Sequence, residues 1–224
     1  MPSAGLIAKL ALLAVSSLAL GYVVATWSQG KRAEKAVAER SEQIFRASAD
    51  PVLGNPQGDV SVVAFFDYNC PDCRRTGPAL TELLAKDPKV RVVLKELPVL
   101  GADSEAASRV ALAARKQGKY AEGKYAELHQ RLLTERGRAG KDTALRIAAE
   151  LGLDPAALER DMDDPAVTEI LLANMRLARD LGVRGVPFYL VGDRVLGEGA
   201  DPFYPELAAK VAEVREEAAA PPAD

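Results

Sequence analysis

A short apolar run followed at once by a Cys-Pro-Asp-Cys motif constrains the fold of this chain more than any other feature. The run, VSVVAFF at residues 60–66, is rich in β-branched and aromatic residues, which is typical of a buried strand. Pro71 suits the first position of a helix, where its missing N–H costs no hydrogen bond. The segment therefore predicts a strand, a short turn and a helix, with Cys70 and Cys73 at the helix N-terminus.

The position of the two cysteines indicates their chemistry. Cysteines three residues apart in a first helical turn lie on one side of the helix, close enough to form a disulfide. The sulfur of Cys70 would also face unpaired N–H groups and the positive end of the helix dipole, which both favour the thiolate. We therefore predict thiol–disulfide exchange, in which Cys70 is the exposed attacking sulfur and Cys73 is the buried resolving sulfur.

Two other uses of the cysteine pair stay open. Zinc prefers about four ligands, and the chain offers only one histidine, His129, beyond its two cysteines. A copper(I) site needs fewer ligands and remains an alternative. A purely structural disulfide is the third interpretation, although so small a loop constrains little of the unfolded chain. No cofactor is expected for the exchange reaction itself.

Length and charge narrow the class of protein. The chain has 224 residues, enough for one large domain or two small ones, and a net charge of −3. Nucleic-acid binding would favour a basic face, so no nucleic-acid partner is predicted.

The N-terminal segment differs from the rest of the chain. Residues 10–27 contain no charged side chain, a length that suffices for a marginal membrane span. We predict that residues 1–27 form a membrane anchor with the domain on the exported side, and a cleaved signal peptide is the alternative. The lysine and arginine count around the segment favours the opposite orientation, whereas disulfide chemistry favours export.

Hydrophobic periodicity divides the remainder. A second strand is expected at residues 89–97, helices from 103 to 181, two short strands at 187–191 and 194–196, and a last helix at 204–219. The turn-forming residues between 50 and 59 are expected to open the folded domain without a strand. The predicted divisions are a segment at 1–27, a polar, solvated helical linker at 28–50, a domain at 51–102, a helical insertion at 103–182, the second part of the domain at 183–219 and a disordered tail at 220–224.

With this order of elements, the sequence resembles the DsbA-like branch of the thioredoxin superfamily. The resemblance covers about residues 50–212 and is carried by the Cys-Pro-Asp-Cys motif after FFDY, by VRVVLKELPVLG and by LGVRGVPFYLVGD. It implies an α/β, thioredoxin-like fold with an inserted α-helical domain. It also implies a protein disulfide oxidoreductase, with Pro71 and Asp72 supporting the cysteine pair.

The resemblance assigns a further role to Val186 and Pro187. In this family the matching proline is cis and lies against the cysteines, and the residue before it offers backbone groups to an extended peptide. Valine at this position is more similar to the oxidases of the family than to its isomerases, which more often have threonine.

Two positions depart from the family pattern. The family's buried carboxylate six residues before the first cysteine is replaced by Ala64, which implies slow exchange unless Glu96 or Lys95 substitutes. The alternative interpretation is that Glu96 and Lys95 form a solvent-facing pair. Asp72 places a carboxylate beside a thiolate, which opposes its charge and implies a weakly oxidising protein.

Taken together, the sequence predicts an extracytoplasmic, periplasmic enzyme that exchanges disulfides with protein or peptide substrates and is recycled by a separate redox partner. A reductase or isomerase of the same fold is one alternative. A non-enzymatic copper-binding or partner-docking module is the other.

Overall fold

The computed structural model describes residue 35 and residues 37–117, 121–196 and 202–220. The chain divides into two compact units, Met1–Arg40 and Ser41–Asp224. In the first unit, residue 35 and residues 37–39 are helical. The predicted anchor at residues 1–27 and most of the predicted tail lie outside the described residues. Within the described ranges, no helix is long and apolar enough to cross a bilayer.

A five-stranded sheet forms the centre of the second unit. Its spatial order is β1-β3-β2-β4-β5, with β2 and β3 parallel and the other neighbouring pairs antiparallel. The parallel pair stands at the middle and is buried along almost its whole length, as the apolar sequence of β2 indicates. The strands are β1 Val52–Gly54, β2 Val60–Phe66, β3 Val90–Glu96, β4 Phe188–Val191 and β5 Arg194–Leu196.

Strand β1 corrects the sequence interpretation. Residues 50–59 were expected to form turns only, yet Val52–Gly54 pairs antiparallel with β3. The strand is short and is surrounded by turn-forming residues, so propensity alone does not reveal it. Gly54 ends it with a φ of 78°, a conformation that glycine adopts more readily than residues with a Cβ.

Helices cover the sheet and fill the segment between β3 and β4. The long helical insertion predicted between the two strands is present, and the last helix begins one residue earlier than expected. The helices in the second unit are α1 Ser41–Phe45, α2 Pro71–Lys86, α3 Ala102–Ala114, α4 Ala121–Thr134, α5 Lys141–Glu150, α6 Pro155–Asp161, α7 Pro165–Asp180 and α8 Phe203–Ala219.

Alternation along the strands separates two sides of the sheet. Val62, Ala64 and Phe66 of β2 join one large core that includes residues of α2, α8 and the insertion. Helix α1 covers part of the sheet, because Arg91 donates to the Phe45 carbonyl at 2.8 Å. Within the predicted solvated linker, Ile44 is therefore fully buried and Phe45 is partly buried, while residues 41–43 are exposed.

Candidate active site

Cys70 is the N-cap of α2, and Pro71 occupies the first turn as predicted. The Cys70 Sγ accepts the backbone N–H of Cys73 at 3.4 Å, so the sulfur takes the place of the oxygen in a usual N-cap. Both cysteines are reduced in this structure. The expectation that Cys70 is exposed is wrong, because only 5% of its surface is accessible, compared with 1% for Cys73.

The group that covers Cys70 is the loop before β4. The Val186–Pro187 peptide bond is cis, as predicted. The Cys70 thiol donates to the Val186 carbonyl at 3.2 Å, across 116 residues of sequence. The loop is therefore in direct contact with the first cysteine, which is the geometry that the resemblance implied.

Cys73 lies deeper in the same helical turn. Burial raises the pKa of its thiol, and the neighbouring Cys70 adds to the effect. The backbone N–H of Asp67 acts in the opposite direction by favouring the thiolate. The two sulfurs therefore differ: Cys73 is held as a thiol inside the protein, and Cys70 contacts the loop before β4.

The Asp72 side chain is largely exposed to solvent. Its carboxylate pairs with Arg75 at 3.3 Å, and 62% of the Asp72 side chain is exposed. The charge that Asp72 was expected to place beside Cys70 is thus partly balanced by a cation and partly screened by water.

The adjacent Arg74 connects two separate segments of the backbone. Its guanidinium donates to the carbonyl of Tyr68 at 2.6 Å and to that of Gly137 at 2.7 Å. It thereby joins the turn before the cysteines to the helical insertion. The sequence offers no signal for this contact, because Gly137 is 63 residues away.

With alanine at position 64, strand β2 has no carboxylate there. The residue paired with Ala64 on the neighbouring strand β4 is Tyr189. Tyr189 is buried, and its hydroxyl lies 2.6 Å from that of Thr76 on α2. Thr76 is one helical turn beyond Cys73. The sequence analysis missed both residues, because 113 positions separate them.

Lys95 and Glu96 are both buried, so the interpretation of a solvent-facing pair is wrong. They are consecutive in β3 and point to opposite sides of the sheet. Lys95 forms an ion pair with Asp50 and donates to the Gln43 carbonyl at 2.6 Å. It therefore binds the segment before β1 and does not reach the cysteines.

Glu96 is the centre of a polar network inside the large core. Its carboxylate accepts hydrogen bonds from Tyr68 at 2.8 Å, Tyr125 at 2.9 Å and Ser108 at 2.7 Å. Burial raises its pKa from 4.5 to about 7, although these hydrogen bonds oppose the shift. The bonds involve both carboxylate oxygens, and they join Glu96 to the insertion.

His129 belongs to the same network. Its Nδ1 lies 3.1 Å from the Tyr68 hydroxyl, and its ring stacks on Tyr125 with centroids 5.9 Å apart. Burial lowers its pKa from 6.5 to about 3, so the ring is neutral. Among the described residues, no group of three or more His, Cys, Asp or Glu side chains could hold a metal ion.

An apolar cleft adjoins the cis-proline loop. It has a volume of about 390 Å³ and ends at Gly185, immediately before Val186. Val99 and Met175 line it and are 51% and 50% exposed. Exposed apolar side chains in a cleft are typical of a surface that contacts other proteins.

Comparison with known proteins agrees with this geometry. The profile of the DSBA-like thioredoxin domain matches residues 61–207. A thioredoxin-like oxidoreductase from Silicibacter pomeroyi DSS-3 is 43% identical, over 78% of this chain and 97% of that chain, with a TM-score of 0.72. The thiol-disulfide exchange protein alpha-DsbA2 from Wolbachia pipientis is 26% identical, over 84% of this chain and 98% of that chain, with a TM-score of 0.75. A periplasmic thioredoxin-like protein from Salmonella enterica serovar Typhimurium is 29% identical, over 79% and 95% of the two chains, with a TM-score of 0.70.

Two curated relatives are Na(+)/H(+) antiporters of the NhaA type. The protein from Salinispora tropica is 29% identical over 147 residues, which is 65% of this chain but 22% of the antiporter. This chain therefore spans about a fifth of the length of that relative. The DSBA-like profile matches more than half of this chain. This protein therefore belongs to the DSBA-like thioredoxin domain family, whose members are disulfide oxidoreductases.

Proposed function

We propose that this protein exchanges disulfides with protein or peptide substrates through Cys70, with Cys73 as the resolving cysteine. The observation that carries the proposal is the 3.2 Å contact between the Cys70 sulfur and the Val186 carbonyl. It places the reactive sulfur beside a backbone edge to which an extended peptide can add as a strand.

The reaction has two exchange steps. A substrate thiolate attacks Cys70 in the intramolecular disulfide, so that the S–S bond breaks and its electron pair passes to Cys73. A second substrate thiolate then attacks the substrate sulfur of the mixed disulfide and releases Cys70. Where the substrate offers no second thiol, Cys73 resolves the mixed disulfide by attacking Cys70, which re-forms the intramolecular disulfide and returns the substrate thiolate. The substrate gains a disulfide and loses two electrons, which the reduced cysteine pair retains until a redox partner removes them.

Substrate binding involves the loop and the neighbouring cleft. The Val186 backbone supplies hydrogen bonds that do not depend on the substrate sequence. Val99 and Met175 supply apolar contacts within the same cleft. This combination favours unfolded or extended chains, which present free backbone groups and apolar side chains together.

The proposed location is the extracytoplasmic side of a membrane. The uncharged stretch at residues 10–27 supports an N-terminal anchor, with a cleaved signal as the alternative. The periplasmic location stated for the Salmonella relative supports export, as does the need of a disulfide-forming enzyme for an oxidising compartment.

Trapping the mixed disulfide tests the proposal. With a reduced, unfolded protein that carries a single cysteine as substrate and the enzyme oxidised by a small disulfide, Cys73→Ala should accumulate a covalent adduct on Cys70 that dithiothreitol releases, because neither Cys73 nor a second substrate thiol can resolve it. The matched variant Cys70→Ala should accumulate none. The absence of an adduct with Cys73→Ala, or equal amounts with both variants, would contradict the assignment of Cys70.

The direction of exchange is decided by a separate measurement. Asp72 is the observation that favours a reductase or isomerase, because a carboxylate near the thiolate disfavours the reduced pair. Equilibration with glutathione buffers gives the reduction potential. A potential near that of thioredoxin, about −270 mV, would assign a reductase, and one near about −120 mV would assign an oxidase.

A further inference from the structure

A pair of buried hydroxyl groups lies beside the resolving cysteine. Thr76 is three residues after Cys73 on α2, so the two side chains are neighbours on one helix face. Its hydroxyl lies 2.6 Å from that of Tyr189, which belongs to β4 on the opposite side of the helix–sheet interface. Both residues are inaccessible to water, at 0% and 2% of their surfaces.

The hydrogen atoms of this pair can be assigned. The Thr76 hydroxyl donates to the carbonyl of Asp72 at 2.8 Å. A hydroxyl has a single hydrogen to donate, so Tyr189 is the donor in its bond with Thr76. Thr76 is therefore fixed by the helix backbone, whereas the Tyr189 hydrogen is held only by another hydroxyl.

The ring of Tyr189 has neighbours on two sides. Ala64 is its cross-strand partner on β2, and the Phe203 ring packs on it with centroids 4.8 Å apart. In sequence it follows the cis-proline loop, whose Val186 carbonyl contacts Cys70. Ala64 provides the space that a larger side chain would occupy, and the phenol lies next to that position.

The electrostatics agree with this placement. Burial raises the pKa of Tyr189, and negative charge on Cys73 or Cys70 raises it further. The phenol therefore remains a hydrogen-bond donor while the sulfurs change charge.

We propose that the Tyr189 hydroxyl donates a hydrogen bond to the Cys73 thiolate that forms when the disulfide opens. The proposal rests on the exchange function proposed above. A carboxylate would accept a proton from Cys73, whereas a phenol stabilises the charged sulfur without taking its proton. Removing the phenol donor would raise the pKa of the Cys73 thiol, whereas removing a nearby carboxylate would lower it.

The step is balanced without a further reactant. The substrate thiolate bonds to the Cys70 sulfur, the Cys70–Cys73 bond breaks, and the electron pair stays on Cys73. The Tyr189 hydroxyl rotates from Thr76 to this sulfur while Thr76 keeps its bond to the Asp72 carbonyl. A thiolate with a donated hydrogen bond is a better leaving group, so Tyr189 accelerates formation of the mixed disulfide.

The test measures Cys73 alone. In a Cys70→Ser background of the full-length chain, the rate of Cys73 alkylation is measured at one pH below the raised pKa of this thiol. There the rate is proportional to the thiolate fraction, and no substrate is needed. Tyr189→Phe keeps the ring and removes the hydroxyl, so the alkylation rate should fall by about tenfold, the change in thiolate fraction that corresponds to one pH unit in the pKa. Tyr125→Phe, which alters another fully buried tyrosine whose hydroxyl bonds Glu96, is the matched control and should leave the rate unchanged.

Thr76→Val provides an independent second variant. It removes the competing acceptor, so the Tyr189 hydrogen is directed to Cys73 and the alkylation rate should rise. An unchanged or lowered rate in Thr76→Val, or an unchanged rate in Tyr189→Phe, would overturn the proposal. A failure of the mixed-disulfide trap would instead contradict the exchange function, because this alkylation rate is independent of any substrate.

Discussion

The two sulfurs of the active site have different surroundings, although both are buried. Burial raises the pKa of the Cys73 thiol, whereas Cys70 contacts the loop that contains Val186. Brief alkylation of the reduced protein at neutral pH should therefore label Cys70 at least about tenfold faster than Cys73, because the thiolate is the reactive form. Peptide mapping by mass spectrometry measures both rates, and equal labelling would show that burial does not separate the two thiols.

Asp72 is the other residue whose effect can be isolated. Asp72→His removes an acidic group near the Cys70 sulfur and should raise the reduction potential. We expect a shift of no more than about 30 mV, a tenfold change in the equilibrium constant, since the carboxylate is exposed and paired with Arg75. Glutathione equilibration measures the potential.

Two further variants define the cause of that shift. Asp72→Asn removes the charge without adding an imidazole and should move the potential in the same direction by less. Arg75→Gln removes the balancing cation and should lower the potential. If Asp72→His leaves the potential unchanged or lowers it, the charge of this carboxylate does not act on the sulfur.

The sequence predicted the roles of residues that depend on their neighbours along the chain. It did not reveal residues whose roles depend on contacts with parts of the chain far away in sequence. Pro71 and Cys70 were placed correctly because the helix start is a local property. Tyr189 and Thr76 were missed because neither is unusual in its own segment. Glu96 was ambiguous, since a strand pattern does not show which faces the helical insertion will cover.

At the scale of single elements, the start of strand β3 depends on a glycine. A Cβ on Gly58 would lie 2.5 Å from the Lys89 carbonyl oxygen and 2.8 Å from the Arg91 nitrogen. These are backbone atoms that cannot move without disturbing β3. Gly58→Ala should therefore lower the free energy of unfolding by more than about 2 kcal/mol, in the range of steric strain in a packed region. Urea unfolding measures the difference.

Gly123 gives the matched control for that substitution. It lies inside α4, and no atom comes within 4 Å of the Cβ it would gain. Gly123→Ala should leave stability unchanged or increase it by up to about 1 kcal/mol, because alanine favours a helix. Equal destabilisation by both substitutions would show that the contacts at Gly58 are not the cause.

Strand β2 makes a related prediction at Ala64. Its side chain is buried next to Leu94 on one side and Tyr189 on the other. Ala64→Glu would add bulk and a buried charge, so we expect a loss of stability of about 1–3 kcal/mol from overpacking alone. Ala64→Leu separates bulk from charge. In urea unfolding, a Glu variant as stable as the wild type would show that the core has room for the carboxylate.

At the scale of the whole molecule, the buried network makes stability depend on pH. The pKa of Glu96 is raised from 4.5 to about 7, so its protonated form is favoured by folding. Its contribution is complete below pH 4.5 and is lost as the pH rises to about 7. The pKa of His129 is lowered from 6.5 to about 3. Its contribution is therefore complete above pH 6.5 and is lost as the pH falls towards 3.

Glu96→Gln isolates the carboxyl group, because glutamine resembles the neutral acid. Relative to the wild type, the variant should gain about 3 kcal/mol of stability between pH values below 4.5 and above 7. His129→Gln should instead gain relative stability as the pH falls below 6.5. Urea midpoints over this range measure both differences, and a Glu96→Gln difference that does not vary with pH would show that Glu96 does not titrate in the folded protein.

The order of the main elements was predictable from the sequence, because buried strands and amphipathic helices have distinct apolar periods. Strand β2, helix α2 and the long helical insertion follow that logic. Strand β1 did not, since three residues between turns carry no period. Its pairing depends on β3, which lies about forty positions later.

The long sequence separation between Cys70 and Val186 has a consequence for biosynthesis. A chain that is made or translocated from its N-terminus presents Cys70 and Cys73 before the 116 residues that lead to their cover have emerged. During that interval the pair meets any small thiol or disulfide in its surroundings without the selectivity of the finished groove. The compartment that receives a newly made molecule therefore sets the initial oxidation state of its cysteine pair. Only later rounds of exchange depend on the folded structure around the two cysteines.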